Sequence, residues 1–469
     1  MRNGKDVTVL RGGRVITGDG ERLCDVYIEG NRIIDLVPAG TASTSNAREI
    51  DVSGKYVVPG LIDAHVHLRE MGDSDREDFS SGTQAAAIGG ITTVMDMPNS
   101  KPNVITIEDY NERRSRVETR AYVNIGLYVW ACEANAHLIE AFGEVGPIGF
   151  KIFTAETGAY DPEFKKYITT DPGVLYRILK ETQKIDSIAA IHSESQSVIK
   201  EFEEVARGSM KPDLAAYTFS RPQAAEDVAV FSEVAVAREA SARVHICHVV
   251  GKGAVDFIRW AKREYYDRVT CEVAPHNLLL NVDDAVRLGS MGKFSPPVQG
   301  EEHRQALWAG LRDGTIDIIG SDHAPQYLAK KQLDDIWKAS PGSPALDYWA
   351  ALMLRSVSSG DLTLRRFIEV ASETPAKIFG LYPRKGVIEV GADADLVVLD
   401  MEAKGTVDSK QFMSKAKYSA FDGWPTQGAS VMTIVGGVIV AKDGKIVSEP
   451  GAGKVVSRLR STRKAEALA

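Results

Sequence analysis

Two histidines separated by a single residue are the first feature of this sequence that could do chemistry. His65 and His67 stand at the end of a short apolar run that is typical of a β-strand. Side chains two positions apart on a strand point to the same face, so both imidazoles could bind one metal ion. This spacing is a weak signal by itself, and a metal site is predicted only where other groups converge with it.

Four further polar side chains also stand at or near the ends of short apolar runs: Lys151, His192, His248 and Asp322. Taken singly, the lysine could form a salt bridge, the histidines could be hydrogen-bonded core residues, and the aspartate could cap a helix. Only nine histidines occur in the chain, and most of them lie at or beside these positions. The combination at five predicted strand ends favours a metal centre over these separate explanations.

A lysine among metal-binding histidines requires its own explanation. A protonated amine would repel divalent cations, so Lys151 must be neutral or modified if it belongs to such a centre. A neutral amine can react with carbon dioxide to give a carbamate, an anion with two oxygens. Such a group is suited to bridging two cations.

The middle of the chain supplies the elements that must position these groups. Apolar strand runs alternate with amphipathic helical patterns, for example at residues 223–240, 254–265 and 301–312, which indicates βα units and a parallel sheet. Eight such units predict an α/β fold of the TIM (β/α)8 barrel type, in which catalytic residues lie at the carboxyl ends of the strands. A doubly wound sheet is the alternative, but no Gly-x-Gly-x-x-Gly loop follows the first strand. The predicted strands end near His67, Pro98, Trp130, Phe153, His192, His248, Pro275 and Asp322.

Both ends of the chain are rich in short strands broken by turns. We therefore expect residues 1–58 and 385–450 to combine into one small β domain, since chain termini often lie close together. Residues 59–384 are predicted to form the barrel, and residues 451–469 a C-terminal tail. Near the start, Gly12 and Gly13 predict a turn between two strands.

Composition narrows the class of protein and its partners. Hydrophobic residues make up 44% and charged residues 26% of the chain, which is the balance of a globular protein. The net charge of −8 disfavours a nucleic-acid surface, because phosphate binding needs clustered positive charge. No apolar run is long enough to span a membrane. Four scattered cysteines without metal-clip spacing are typical of a reducing, cytoplasmic setting.

Several motifs, in order along nearly the whole chain, resemble those of the cyclic amidohydrolases, the family of dihydroorotase, hydantoinase, dihydropyrimidinase and allantoinase. This resemblance implies a TIM barrel with a small β-sandwich made from both termini. It also implies a homodimer or homotetramer. The motifs lie at residues 60–70, 89–93, 97–99, 149–151, 271–276, 321–325 and 391–396.

Carried over position by position, the resemblance assigns His65, His67 and Asp322 to one metal ion and His192 and His248 to a second. Lys151 matches the carbamylated lysine that bridges the two ions, and zinc is the usual ion. The implied reaction is metal-assisted hydrolysis, in which the aspartate at 322 accepts a proton from the attacking water and returns it to the ring nitrogen.

The predicted substrate contacts point in two directions. Arg69 and Asn99 match positions where dihydroorotases bind the substrate carboxylate, and Thr157 matches a threonine that meets the substrate there. Gln326 stands where dihydroorotases have histidine, and Ser295 resembles the serine by which hydantoinases and allantoinases bind the ring amide. Arg69 could instead pair with a nearby acid such as residue 70 or 78, and Asn99 could be a turn residue.

The sequence therefore predicts an enzyme that hydrolyses a ring C–N bond in a cyclic amide or ureide. The expected reaction is dihydroorotase-like, from dihydroorotate to N-carbamoyl-aspartate, and the alternatives are a hydantoinase, a dihydropyrimidinase or an allantoinase. A non-catalytic scaffold is disfavoured because all six ligand positions are filled. A one-metal deaminase is disfavoured because Lys151 would then have no ions to bridge.

Overall fold

The computed structural model describes residues 7–41, 47–158 and 163–459. Residues 460–469 of the predicted tail, and residues 1–6 of the predicted β domain, lie outside this range. Among the described helices, none combines the length and apolar character needed to cross a membrane.

The first part of the chain forms one half of a mixed sheet. The strands β1, β2 and β3 form an antiparallel meander, and β4 and β5 pair with β1 in parallel. The predicted turn at Gly12 and Gly13 is wrong, because the chain continues through it as one strand with a β-bulge. Gly12 has a φ of 70° there, and its N–H donates to Asp25 Oδ1 at 2.8 Å. The bounds are β1 (Val7–Thr17), β2 (Gly20–Glu29), β3 (Arg32–Pro38), β4 (Arg48–Asp51) and β5 (Tyr56–Pro59).

A barrel of parallel strands follows, and it confirms the predicted TIM fold. Each strand pairs in parallel with the next, and a parallel bridge between Val66 and His323 joins the first to the last. The strands are almost wholly buried because helices cover their outer side. They are β6 (Leu61–Val66), β7 (Ile91–Asp96), β8 (Asn124–Trp130), β9 (Gly149–Phe153), β10 (Ile188–His192), β11 (Arg243–Ile246), β12 (Val269–Val273) and β13 (Ile318–Ile319).

The helical segments predicted at residues 223–240, 254–265 and 301–312 correspond to the helices Gln223–Ala240, Lys252–Trp260 with the π-helical turn Ala261–Tyr265, and Glu301–Asp313. In α4, Asp171 caps the first turn and Pro172 occupies its start, and Leu175, Ile178 and Leu179 form its buried stripe. The helices are α1 (Phe79–Ile88), α2 (Ile107–Arg120), α3 (Ile139–Val145), α4 (Pro172–Lys184), α5 (Gln196–Ser209), α6 (Leu214–Phe219), α7 (Gln223–Ala240), α8 (Lys252–Trp260), α9 (Pro275–Leu279), α10 (Val282–Leu288), α11 (Glu301–Asp313), α12 (Leu328–Lys331), α13 (Trp349–Ser358), α14 (Leu364–Ile368) and α15 (Thr374–Ile378).

The end of the chain completes the mixed sheet, so the predicted β domain from both termini is confirmed. The strand β14 pairs with β5 and β15, and its first four residues are buried on both faces. Leu396 and Val398 pack into the core of the small domain, whereas Val397 and Leu399 pack against the barrel. The strands are β14 (Leu396–Thr406), β15 (Pro425–Val435), β16 (Val438–Lys442) and β17 (Lys445–Ile446).

The first residues of the predicted C-terminal tail pack against the barrel. The backbone of Ile125 in β8 donates to Lys454 O at 2.9 Å and accepts from Val456 N at 3.0 Å. The side chain of Val456 is buried. The described part of this segment therefore extends the barrel sheet at the edge of β8.

Candidate active site

The carboxyl ends of the barrel strands surround a cavity of about 800 Å³. All the residues predicted to bind metal or substrate line it, except Lys151, which is fully buried at the end of β9. The position agrees with the end at which barrel enzymes keep their catalytic groups. The lining residues from the prediction are His65, His67, Arg69, Asn99, Thr157, His192, His248, Ser295, Asp322 and Gln326.

Two histidines and an aspartate converge at one side of the cavity floor. His65 Nε2 lies 3.5 Å and His67 Nε2 lies 3.3 Å from the same oxygen, Asp322 Oδ1. Three potential ligand atoms of these residues lie within 4.8 Å of one another. Two imidazole nitrogens and a carboxylate oxygen form a donor set that suits a divalent ion such as zinc.

A second pair of histidines lies beside the first group. His192 Nδ1 and His248 Nε2 are 2.9 Å apart, and the His248 ring centroid lies 5.3 Å from that of His65. The two groups are therefore close enough to hold two ions that share a bridging group. The family resemblance implies the same division of the ligands between two ions.

Lys151 lies between the two groups without an acidic partner. Its side chain is fully buried, and Nζ lies 2.9 Å from Cys247 Sγ and 5.0 Å from the centroid of the Phe153 ring. No carboxylate pairs with Nζ within the described residues, so the structure does not support the salt-bridge alternative. A buried amine without a counter-ion fits a group that loses its positive charge by carbamate formation.

Two acidic residues that the sequence analysis did not assign orient the histidine rings. The Glu272 carboxylate accepts from His65 Nδ1, and Glu194 Oε2 accepts from His192 Nε2 at 2.8 Å. Arg221 pairs in turn with Glu194. Fixing one ring nitrogen as a donor leaves the other free to bind a cation. Their positions at the ends of β12 and β10 are the signal that could have identified both acids.

Burial and neighbouring charges together set the protonation states of the site. Burial lowers the pKa of His67 to about 3 and also lowers the pKa values of His192 and His248. Burial also opposes protonation of His65, but the charges of Glu272 and Asp322 outweigh it and raise the pKa of His65 to about 10. Burial opposes ionisation of Asp322, but the neighbouring His65 and His67 hold the pKa of its carboxyl well below the ordinary value. Neutral imidazoles and an ionised carboxylate are the forms that bind metal ions, so His65 would release its proton when an ion binds.

The backbone is strained at three residues of the cavity. Arg69, His248 and Asp322 have φ angles of 54°, 33° and 50°, in the left-handed region that non-glycine residues seldom adopt. Asp322 directly precedes His323, whose carbonyl accepts from His67 N at 2.8 Å. Such strain persists where the surrounding structure holds it, and it concentrates at functional sites.

Arg69 lines the cavity without an acidic partner. Its Nη1 donates to Asn99 O at 3.3 Å. The two acids considered as its partners are bound by another arginine, because Arg120 lies 3.3 Å from Glu70 and 3.0 Å from Asp78. The ion-pair alternative with these two acids is therefore wrong. Burial, with a smaller contribution from nearby positive charge, lowers the pKa of Arg69 to about 9.

The remaining predicted substrate contacts lie in different surroundings. Asn99 Oδ1 accepts from His67 Nδ1 at 2.7 Å, so Asn99 orients a ligand histidine as well as lining the cavity. Gln326 Oε1 accepts from Arg76 at 2.8 Å. Thr157 and Ser295 also line the cavity.

Known proteins of the same architecture are similar over nearly the whole chain. A structure of the L-hydantoinase (dihydropyrimidinase) from Arthrobacter aurescens matches with a TM-score of 0.92 and 34% identity, covering 96% of this chain and 99% of that one. The dihydropyrimidinase from Brevibacillus agri matches with a TM-score of 0.88 and 27% identity, covering 97% and 99%.

Two curated relatives carry the names of different cyclic amide hydrolases. The L-hydantoinase of Paenarthrobacter aurescens is 34% identical over 96% of this chain and 98% of its own length. The dihydroorotase of Methanothermobacter thermautotrophicus is 38% identical over 92% and 94%. The sequence pattern of the amidohydrolase family matches residues 56–440. The resemblance drawn from the sequence motifs is thus confirmed, and the chain belongs to the amidohydrolase family as a cyclic amidohydrolase of the hydantoinase and dihydroorotase type.

Proposed function

We propose that this enzyme hydrolyses the ring amide of a cyclic ureide that carries a carboxylate, in a dihydroorotase-like reaction. The observation that carries the proposal is Arg69. The residue is 7% exposed and lines the cavity, and its guanidinium has no carboxylate in ion-pair contact within the described residues. An unpaired buried cation is costly, and a substrate carboxylate would offset that cost through two parallel hydrogen bonds.

The donor groups in the cavity fit two divalent ions, for which we propose zinc. His65, His67 and Asp322 would hold one ion, His192 and His248 the other, and a carbamate on Lys151 would join them. When bound, the ions would acidify a water molecule and polarise the ring carbonyl.

Asp322 is the group that moves the proton. Its oxygen faces the ring nitrogens of two histidines at the cavity floor, and its low pKa keeps the carboxylate ionised, which is the form that binds a metal ion. We propose that it takes the proton of the attacking water and returns it to the ring nitrogen as the C–N bond breaks.

A hydantoinase-type reaction on a neutral ring is the second candidate. Gln326 replaces a histidine expected to contact a carboxylate, and Ser295 lines the cavity, where its hydroxyl could bind a ring amide. The similarity to L-hydantoinase supports the same alternative.

A substrate panel separates the two candidates. The measurement is kcat/KM of the metal-loaded enzyme for dihydroorotate, dihydrouracil, hydantoin and allantoin. We expect dihydroorotate to be preferred, and Arg69→Met to lower its kcat/KM by about 100-fold, since a hydrogen bond to a charged group contributes roughly 1.5–3 kcal/mol.

The control for this panel is Arg259→Met, which removes an arginine from an ion pair with Asp256 on the outside of the barrel. It should leave the ranking of substrates unchanged. Equal losses on charged and neutral rings in Arg69→Met, or a wild-type preference for a neutral ring, would exclude the carboxylate role.

We also propose a cytoplasmic enzyme that works as a homodimer or homotetramer. All four cysteines are free and buried, as expected in a reducing compartment. Large apolar side chains are exposed on neighbouring outer helices, with Phe231 at 42% and Trp260 at 43%, and such surfaces are often covered in assemblies. Sedimentation of the purified protein tests the oligomeric state.

A further inference from the structure

Arg76 forms a hydrogen bond with Gln326 in the wall of the cavity, and neither residue belongs to the metal-binding groups. Arg76 Nη1 donates to Gln326 Oε1 at 2.8 Å, and both side chains line the cavity. Arg76 is itself held in place. It pairs with Asp73, and its guanidinium lies 5.8 Å from the centroid of the Tyr327 ring.

Gln326 is fixed at both ends. Its backbone N–H donates to the hydroxyl oxygen of Tyr418 at 3.1 Å, and Tyr418 is buried. Its side-chain oxygen is taken by Arg76. The side chain is 8% exposed, so it has little freedom to choose another orientation.

The chemistry of the two groups decides which end of the amide faces the cavity. A guanidinium only donates hydrogen bonds, so it must face the carbonyl oxygen of the amide. The Nε2 group of Gln326, with its two N–H donors, is then turned away from Arg76, and it has no hydrogen-bond acceptor within the described residues.

A second arginine lines the same cavity as this donor. Arg69, Arg76 and Gln326 are all among its lining residues, together with Asp73, the ion-pair partner of Arg76. Arg69 has no carboxylate in ion-pair contact within the described residues. The N–H groups of Arg69 and of the Gln326 amide are therefore donors of this cavity that are not taken by a carboxylate of the described residues.

We propose that Arg76 is a positioning residue that orients the Gln326 amide so that Nε2 donates to the substrate carboxylate beside Arg69. This inference rests on the proposed carboxylate-bearing substrate. It gives Gln326 the donor function that a histidine would otherwise provide, and it assigns the specificity to a pair of residues rather than to Gln326 alone.

The test measures the selectivity of the holoenzyme, defined as kcat/KM for dihydroorotate divided by kcat/KM for dihydrouracil, which lacks the carboxylate. Gln326→Leu should lower the selectivity by about 10- to 100-fold, the range for a hydrogen bond to a charged group. Arg76→Met should lower it in the same direction, mainly through the KM for dihydroorotate. Arg76→Lys keeps a donor and should restore part of the selectivity.

The double variant tests whether Arg76 acts through Gln326. Because Arg76 acts through Gln326, adding Arg76→Met to Gln326→Leu should change the selectivity by less than about 2-fold. Arg259→Met on the barrel exterior is the matched control and should leave the selectivity unchanged. An equal effect of Arg76→Met in both backgrounds, or no effect in the wild-type background, would overturn the positioning role.

Failure of the proposed function is visible separately in the wild-type enzyme. If the wild type does not turn over dihydroorotate, the same variants are compared by the inhibition constant of dihydroorotate against dihydrouracil hydrolysis. A rise in that constant in Arg76→Met, absent in the Gln326→Leu background, would support the positioning role alone. Absence of inhibition in the wild type would overturn both proposals.

Discussion

Lys151 is fully buried and has no carboxylate in contact with Nζ within the described residues. A thiol is the partner of Nζ, and the charge of Lys151 acts on three histidines of the metal-binding groups, His65, His192 and His248. These features are explained together if the amine carries a carbamate, because the group then becomes a negatively charged ligand.

Lys151→Ala therefore removes both the charge and the bridge between the two predicted ions. We expect kcat to fall by more than about 100-fold, because loss of even an outer partner of a metal ligand costs 10- to 100-fold. The bound metal should also fall below two ions per chain. Elemental analysis and the rate of ring hydrolysis test this, with a small carboxylic acid added to replace the carbamate. Near-normal turnover without added acid would contradict the carbamate.

Asp322 allows a test of proton transfer without disturbing the backbone. Its φ of 50° is a conformation that asparagine also adopts readily. Asp322→Asn should keep the melting temperature within a few degrees and lower kcat by about 100- to 10,000-fold, the usual contribution of a general acid or base. A variant with high activity and bound metal would rule out Asp322 as the proton carrier.

At the scale of elements, the site is built where loops meet the carboxyl ends of the strands. Gly320 follows β13 directly, and a Cβ at this position would collide with the Glu272 carboxylate and lie 3.2 Å from His65 Cβ. The glycine therefore lets β12 and β13 approach closely enough for Glu272 to orient His65.

Gly320→Ala should push Glu272 away from His65 and weaken metal binding by about 10- to 100-fold. Competition with a chelator measures the affinity. The control is Gly208→Ala in α5, where nothing lies within 4 Å of the added Cβ, so the metal affinity should be unchanged. An unaltered affinity in Gly320→Ala would show that Glu272 does not support the ligand.

The same elements show what could be predicted from the sequence. Apolar runs and helical periods located the barrel strands, and the segment 223–240 coincides with α7. The histidines were found because histidine is rare in this chain and chemically distinctive. Glu272, Glu194 and Arg76 were missed because acids and arginines are common on any surface, and only the folded structure shows that these three are buried against the site.

The prediction of a turn at Gly12 and Gly13, where the structure has a bulge in β1, was wrong for a related reason. The two glycines at 12 and 13 carry the same local signal whether the chain turns or bulges, and the choice depends on pairing with β2. Long-range pairing of this kind is absent from a local pattern. The prediction that both termini form one domain succeeded because it depended on the type of element and not on its register.

At the scale of the whole molecule, one buried carboxylate joins the small domain to the barrel. Asp395 pairs with Lys385, accepts from Asn124 Nδ2 in β8 at 3.0 Å and accepts from Gly436 N at 2.7 Å. Asn124 Oδ1 in turn accepts from Lys454 N at 3.2 Å, in the C-terminal segment. Three parts of the chain therefore share a single hydrogen-bond network.

Asp395→Ala should destabilise the molecule as a unit. The substitution removes the acceptor of the half-buried Gly436 N–H and one of the two acceptors of Asn124 Nδ2, which keeps Thr92 O. It also weakens the pairing of the buried Lys385 ammonium, and breaking a buried ion pair costs about 3–5 kcal/mol of the free energy of unfolding. Urea unfolding followed by circular dichroism measures this loss. The control is Asp400→Ala in β14, whose ion pair with Lys55 is partly exposed and should contribute at most about 1 kcal/mol. Equal effects of the two substitutions would mean that the small domain is held to the barrel by apolar packing of β14 alone.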